Sequence, residues 1–386
     1  MMIIKLFNKI DNAGLDLFGE NYTLSEDATD YKGILVRSAA LHEVQFPSSL
    51  KAIARAGAGV NNIPTEKCAE KGIVVFNTPG ANANGVKELA VAALMLGSRD
   101  IAGGIEWAKT LKGTGDVTKL VEKGKSAFMG PEVMGKTLGV IGLGAIGGMV
   151  ANVAYTLGMR VVGFDPYITV NAAWGLSRAV IKANNYDEVY SVSDYITIHA
   201  PSTDETKKMI NADTIAKMKD GVRIINLSRG DLVNEDDLVA ALESGRIASY
   251  VTDFPSDKIL GVKGVICIPH LGASTPESEE NCARMAAEEL IDYLENGNIT
   301  NSVNFPSITQ PRNTAYRMVV LHRNVPAMLG SISTVLGGDK VNIESLSNRS
   351  KGNYAVSIID ADSKITESVI KDVESIEGVI RVNVVE

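Results

Sequence analysis

Three glycines, Gly142, Gly144 and Gly147, follow directly on the apolar run Leu138-Gly-Val-Ile141 and precede a helix-like stretch. Of everything in the chain, this spacing narrows the possible folds most. In a G-x-G-x-x-G turn the first glycine allows the tight bend. The second leaves bare backbone for a close approach, and the third lets helix and strand pack at short distance. The helix that follows offers free N–H groups and the positive end of its dipole, which suit a pyrophosphate. The next apolar run, Arg160-Val-Val-Gly-Phe164, ends at Asp165. A carboxylate there accepts from a ribose 2′-OH and repels a 2′-phosphate. The pattern therefore predicts a dinucleotide site that takes NAD rather than NADP.

The rest of the chain fits an α/β frame around that turn. Apolar runs end at Ile141, Phe164, His199, Leu227, Thr252 and Ile268 with helical stretches between them. This predicts a doubly wound Rossmann sheet over 98–274. Earlier runs at 3–7, 33–36, 51–54 and 73–76 predict a smaller parallel, flavodoxin-like α/β domain. The stretch 87–96 is almost wholly apolar and reads as a helix buried all round. Residues 103–130 are poorly patterned and read as a surface excursion. A helix beginning at Pro276, with Glu277, Glu279 and Glu280 in its first turn, is expected to run back to the first domain. That domain is then discontinuous, 1–97 with 275–305. Residues 306–314 read as a linker, and 315–386 read strand-helix-strand-strand-helix-strand, a ferredoxin-like βαββαβ unit.

Composition excludes several classes. At 386 residues the chain is too long for one core. A net charge of −8 argues against a nucleic-acid footprint, and no apolar run reaches the roughly 18 residues of a membrane span. Cys68, Cys267 and Cys282 are odd in number and lack metal-ligand spacing, so no metal site and a reducing, cytoplasmic setting are expected.

In an acidic chain, an anionic substrate needs a local cluster of cations. Arg37-Ser38 and Arg55-Ala-Gly57 fall at strand ends of the first domain, where a guanidinium can grip a carboxylate or phosphate bidentately. Arg229 and His270 fall at strand ends of the second. A histidine titrating near neutral pH can take a hydroxyl proton, and a planar guanidinium can hold a carboxylate. Together these are the parts needed to oxidise a 2-hydroxy acid.

Taken together, Val36-Arg-Ser38, Arg55-Ala-Gly57, Gly142-Leu-Gly-Ala-Ile-Gly147, His199-Ala-Pro201, Leu227-Ser-Arg229-Gly230, Pro269-His-Leu-Gly-Ala-Ser274 and the βαββαβ tail resemble the D-isomer-specific 2-hydroxy acid dehydrogenases that carry a C-terminal ACT domain. The resemblance implies oxidation of 3-phospho-D-glycerate to 3-phosphohydroxypyruvate, the first step of L-serine biosynthesis. His270 would be the acid/base and Arg229 the carboxylate anchor. Arg37, Ser38, Arg55 and Gly57 would line the substrate site. Gly142, Gly144, Ile146, Gly147, Asp165, Ala200, Leu227, Asp253 and Gly272 would contact NAD. A homodimer or homotetramer is implied. Two alternatives stay open: another reductase of the family acting on hydroxypyruvate or glyoxylate, and a non-catalytic sensor of NAD or amino acids.

Two stretches depart from the family pattern. The family places a glutamate in D-V-F-x-x-E-P to pair with the histidine, whereas this chain reads Thr252-Asp-Phe-Pro-Ser-Asp257-Lys258. Ungapped alignment puts Lys258 at that position; a one-residue deletion puts Asp257 there, and Asp257 is the preferred catalytic candidate. In the tail, the serine-sensing pattern H-x-N-x-P-G reads His322-Arg-Asn324-Val-Pro-Ala327, with Asn342 following. His322, Asn324 and Asn342 are the candidate ligands of an L-serine effector.

Overall fold

A computed structural model describes residues 1–385. By internal contact the chain divides into two units, Met1–Asn82 with the chain from Pro276 onward, and Ala83–Thr275.

The first unit holds two sheets. Strands β1 (Met2–Phe7), β2 (Tyr22–Ser25), β3 (Gly33–Val36), β4 (Ala52–Arg55) and β5 (Val74–Phe76) form a parallel sheet in the order β2-β1-β3-β4-β5. This is the flavodoxin-like order. β3 and β5 are buried along their whole length, which is why they read as continuous apolar runs. β2 is a half-exposed edge strand with little apolar content, and the sequence reading missed it. The helix Pro276–Asn296 packs on this sheet through Cys282, Ala283, Ala286, Leu290, Tyr293 and Leu294.

In the second unit, β6 (Thr137–Ile141), β7 (Arg160–Phe164), β8 (Ile181–Lys182), β9 (Tyr195–Ile198), β10 (Val222–Asn226), β11 (Ile247–Thr252) and β12 (Val265–Cys267) form one parallel sheet. Its order is β12-β11-β10-β9-β6-β7-β8, the doubly wound Rossmann arrangement extended by one strand. Six strands were expected; the seventh, β8, is a two-residue edge too short to leave a pattern. The helix Ala83–Ser98 also belongs to this unit rather than to the first. It buries one face (Val86, Ala90, Ala93, Leu94, Gly97) and exposes Glu88 and Ala92, so it is not buried all round. The stretch read as an excursion contains helices Ile101–Thr110 and Val117–Gly124, neither with a buried residue.

The second sheet of the first unit comes from the tail. Strands β13 (Tyr316–Arg323), β14 (Ile343–Lys351), β15 (Tyr354–Ala361) and β16 (Val379–Val385) pair antiparallel in the order β14-β15-β13-β16. Helices Met328–Gly338 and Glu367–Glu374 cover one face through Ile332, Leu336, Val369 and Val373. The result is the expected βαββαβ unit. It does not stand apart behind a linker, however. Its other face, with Val319, Leu321, Val356 and Ile358, shares a core with Ile4, Leu290, Tyr293 and Phe305.

A buried ion pair fixes that junction. Arg317 and Asp360 are both fully buried, with Nε–Oδ1 at 2.6 Å and Nη2–Oδ2 at 2.9 Å. The remaining donors of Arg317 go to the carbonyls of Asn296, Gln310 and Pro311. The segment read as a linker is thus pinned, because its carbonyls satisfy a buried cation. Removing either partner of such a pair typically costs about 3–5 kcal/mol.

Glu289, on the helix Pro276–Asn296, is the other unusual buried charge of this unit. Its Oε1 accepts from Asn301 Nδ2 at 2.6 Å, while its Oε2 is buried without a partner. Burial pushes its carboxyl up from 4.5 to about 7, with Glu288 adding to the rise. The folded state therefore holds this proton more tightly than the unfolded chain does. Stability present below about pH 4.5 is lost as pH rises through 7. Glu289→Gln is expected to raise the unfolding free energy by roughly 2 kcal/mol at pH 8 and hardly at pH 4. Denaturant titrations at the two pH values check this.

Candidate active site

The strand order of the second unit reverses between β6 and β9, whose last residues Ile141 and Ile198 are paired. Ligands of open α/β sheets bind at such a point. Gly142 turns the chain there at φ +86°, and a Cβ on it would meet the His199 carbonyl oxygen at 2.6 Å. A Cβ on Gly147 would collide with the Gly142 carbonyl oxygen. Gly144 differs: no atom lies within 4 Å of where its Cβ would be. It precedes the helix Ala145–Thr156, which has no side-chain cap. The helix's first N–H groups therefore have no side-chain acceptor, beside space that a ligand can fill.

Other predicted cofactor residues surround this turn. Asp165, half-buried, accepts from Leu143 N at 2.9 Å and Tyr167 N at 2.8 Å, one bond to each oxygen. This fixes the carboxylate while leaving lone pairs for a ribose. Ala200 and Leu227 are buried at strand ends, and Ile146 is half-buried in the first turn of the helix. Gly272 is buried, and a Cβ there would press on Val86 Cγ2 at 3.0 Å. His199, with Nε2 2.9 Å from Thr197 Oγ1, is held neutral, because burial pushes it down to about 4. The bare Gly144 edge and the uncapped helix fit the diphosphate of a dinucleotide. Gly144→Val is expected to leave the fold intact, since no protein atom opposes it, and to weaken NADH binding at least 100-fold. Fluorescence titration of NADH, with a melting curve as control, checks this.

Arg229 and His270 lie on loops at the same edge of this sheet. Asn226, fully buried, donates from Nδ2 to the Arg229 carbonyl and to Tyr250 Oη, and Ser228 Oγ donates to the Ile198 carbonyl. These bonds fix the loop backbone and leave the Arg229 side chain exposed, its Nη1 donating to the Ser228 carbonyl at 2.6 Å. The exposed His270 imidazole packs edge-on against the Phe254 ring, centroids 4.8 Å apart. Next to it in sequence, Asp253 is buried, and its Oδ1 has no hydrogen-bond partner. Burial pushes the Asp253 carboxyl up, while the charges of His270 and Arg229 pull it back. Asp257 is exposed, and no described hydrogen bond or ion pair joins it to His270. Lys258 is held 2.7 Å from Asp236, and Ser256 Oγ donates to Glu235. That loop is thereby tied to the helix Glu235–Glu243.

The first unit gathers the predicted substrate residues at the ends of β3 and β4. Arg37 Nη2 pairs with Glu279 Oε1 at 2.7 Å, both side chains partly exposed. Arg55 Nε donates to the Arg37 carbonyl at 3.0 Å. Gly57, at φ +151°, makes room for Arg55, whose Nη1 would lie 2.6 Å from a Cβ. Ser38 is exposed, its N–H donating to Asn8 Oδ1. Sequence reasoning missed two residues here. Asn62 donates to the Ala39 carbonyl while its Oδ1 is buried without a partner, and Asn8 holds the backbone of residues 38 and 39. Neither carries a motif that would have pointed to it.

The tail candidates are not gathered by any contact. His322 is buried, with Nδ1 2.8 Å from the Arg323 carbonyl and Nε2 3.1 Å from Ser357 Oγ. Asn324 and Asn342 are exposed, donating to the Gly352 carbonyl and to Glu344. Ala327, standing where the serine-sensing pattern has glycine, takes a left-handed backbone, φ +65°.

Residues 93–272 match the family model described as D-isomer specific 2-hydroxyacid dehydrogenase, NAD binding domain. The D-3-phosphoglycerate dehydrogenase 2 of Saccharomyces cerevisiae is 32% identical over 82% of this chain and 68% of its own length. The chain belongs to the D-isomer-specific 2-hydroxyacid dehydrogenases. The D-3-phosphoglycerate dehydrogenase of a Synechocystis strain is 36% identical over 80% of this chain, which spans only 57% of that relative. Among solved structures, NAD⁺-bound 3-phosphoglycerate dehydrogenase of Entamoeba histolytica is 27% identical with a TM-score of 0.61, over 78% of this chain and 98% of that one. A glyoxylate reductase from Paecilomyes thermophila, 24% identical with a TM-score of 0.66 over 78% of this chain and 98% of that one, shares the fold. The second unit of this dehydrogenase family member is thus its NAD-binding domain.

Proposed function

We propose that this chain oxidises 3-phospho-D-glycerate to 3-phosphohydroxypyruvate with NAD, the entry to L-serine biosynthesis. The observation that carries the reading is the pairing of an exposed guanidinium, Arg229, with an exposed imidazole, His270, on loops at one edge of an NAD-binding sheet. Arg229 anchors the substrate carboxylate. His270 takes the C2 hydroxyl proton as the C–O bond gains double-bond character, and the C2–H electron pair leaves with its hydrogen as hydride. When bound, NAD supplies the acceptor for that hydride. Arg37, Ser38, Arg55 and Gly57 are assigned to the remaining anionic group, with Arg37 exchanging Glu279 for it. The names of the curated relatives support the phosphorylated substrate.

NADH formation at alkaline pH tests the reading. Turnover of 3-phospho-D-glycerate is expected at a kcat/KM at least tenfold above D-glycerate or D-lactate, since a charge-assisted bidentate contact contributes about 1.5–3 kcal/mol. His270→Gln is expected to lower kcat by about 10²–10⁴-fold. A preference for hydroxypyruvate or glyoxylate would replace the substrate. Intact NADH binding without turnover of any of these acids would make the chain a sensor.

Two further assignments belong with this reading. L-serine is taken as the effector of the tail, an ACT domain, supported by the exposed amides of Asn324 and Asn342; His322 would serve by holding the strand end. Calorimetry is expected to show serine binding at millimolar concentration or tighter, lost in Asn342→Ala. A homodimer or homotetramer is also assigned, supported by the exposed Ile105, Met129 and Met134 of a segment that buries little.

A further inference from the structure

Strand β14 is an edge of the tail sheet, and one row of its side chains is used only at the two ends. Ser345, Ser347, Arg349 and Lys351 alternate along the strand and so share a face. Their partners on β15 are Asp360, Ile358, Val356 and Tyr354, the last three of which join the core shared with the parallel sheet. The segment that follows the helix Pro276–Asn296 runs beside this row in the opposite direction. It is fastened at both ends. Lys351 Nζ donates to the carbonyls of Ser302 and Val303 at 3.2 and 3.0 Å, and Gln310 Nε2 donates to Ser345 Oγ at 2.8 Å. Between the fastenings lies a cavity of about 490 Å³, and Arg349, Ser347, Thr300, Ser307 and Thr309 line it. Ile299 and Ile308 form its apolar side, their backbones joined by two hydrogen bonds of 2.8 and 2.9 Å.

We propose that this cavity binds the phosphate group of a small polyol phosphate, or free phosphate itself. Among the described residues, no hydrogen bond or ion pair engages the Arg349 guanidinium or the four hydroxyls that line the cavity with it. None of the described lining residues is acidic, although the chain carries a net charge of −8. Asp360, at the Ser345 end of the row, is already neutralised by Arg317. The one charge presented to the cavity is thus a free cation, which suits an anion. A guanidinium takes two phosphate oxygens at once, and hydroxyls donate to the others. The same hydroxyls accept from a polyol chain, for which the volume leaves room. A zwitterion such as serine finds no carboxylate here for its ammonium, so this site differs in chemistry from the one assigned to Asn324 and Asn342. A bound phosphate would close the unjoined middle of a seam whose ends are already tied, fastening the tail to the segment beside it. The inference does not depend on the proposed reaction.

Calorimetry on the intact chain without cofactor tests the site, with glycerol 3-phosphate, inorganic phosphate and glycerol as probes. Both phosphates are expected to bind at millimolar concentration or tighter, and glycerol not to bind. Tighter binding of glycerol 3-phosphate supports the ester as ligand, and equal binding supports the free ion. Arg349→Gln is expected to weaken this binding at least tenfold, because the charge-assisted contact is lost. Ser307→Asp, which sets a like charge in the cavity, is expected to do the same. Both residues are exposed, so the melting curves of the two variants without ligand should overlay that of the parent chain. The Arg349-dependent binding should persist in Arg37→Gln, which alters the assigned substrate residues instead. Phosphate binding lost in Arg37→Gln and kept in Arg349→Gln would overturn the proposal, as would binding of neither phosphate or of glycerol equally. Turnover enters none of these readings, so a chain that oxidises none of the candidate acids would remove the proposed reaction and leave this site standing.

Discussion

The contact between the Gly147 backbone and the Gly142 carbonyl is the constraint on which the site depends. With no Cβ to separate them, the helix Ala145–Thr156 starts against the end of β6, and its N-terminus comes to the point where the sheet reverses its strand order. Everything chemical in the second unit is set out from that point. Gly144 leaves the approach open, and Asp165 is fixed by two backbone N–H groups at the end of the adjoining strand. Arg229 and His270 are carried on loops at the same edge, each steadied by neighbours that are themselves buried or bonded. One pair of missing methyl groups thus fixes where a ligand sits and which side chains it meets.

Much of this was readable in the chain because the signals are local. A glycine spacing, an acidic residue closing the next strand, and runs of apolar residues each depend on a few neighbours in sequence. Buried parallel strands such as β3 and β5 carry side chains apolar on both faces and announce themselves. The edges do not. β2 and β8 are short and partly wet, so nothing in their residues demands a sheet. The helix Ala83–Ser98 misled for the opposite reason, since alanines on its exposed side look no different from alanines in a core.

What the sequence could not convey is pairing at a distance. Arg317 and Asp360 are ordinary charged residues until the fold buries both, and the supposed linker is ordinary until its carbonyls are found on the guanidinium. The same holds at the site. Motif alignment offers Lys258 by position alone, and only the fold shows it engaged with Asp236. Likewise Arg37 reads as a free cation in the sequence but is met by Glu279 from a helix far along the chain.

The way the guanidinium of Arg317 is spent has a consequence for the architecture of the polypeptide. Its donors reach carbonyls at the end of one helix and in the segment that follows it, and the Asp360 carboxylate on a strand of the tail, so three stretches of the chain close on a single cation. A chain cut ahead of Tyr316 would strand those carbonyls and bare the apolar side of the parallel-sheet core. The tail is therefore a wall of the first unit as well as a module in its own right. A form of this polypeptide without the tail would have to cover that apolar side by other means.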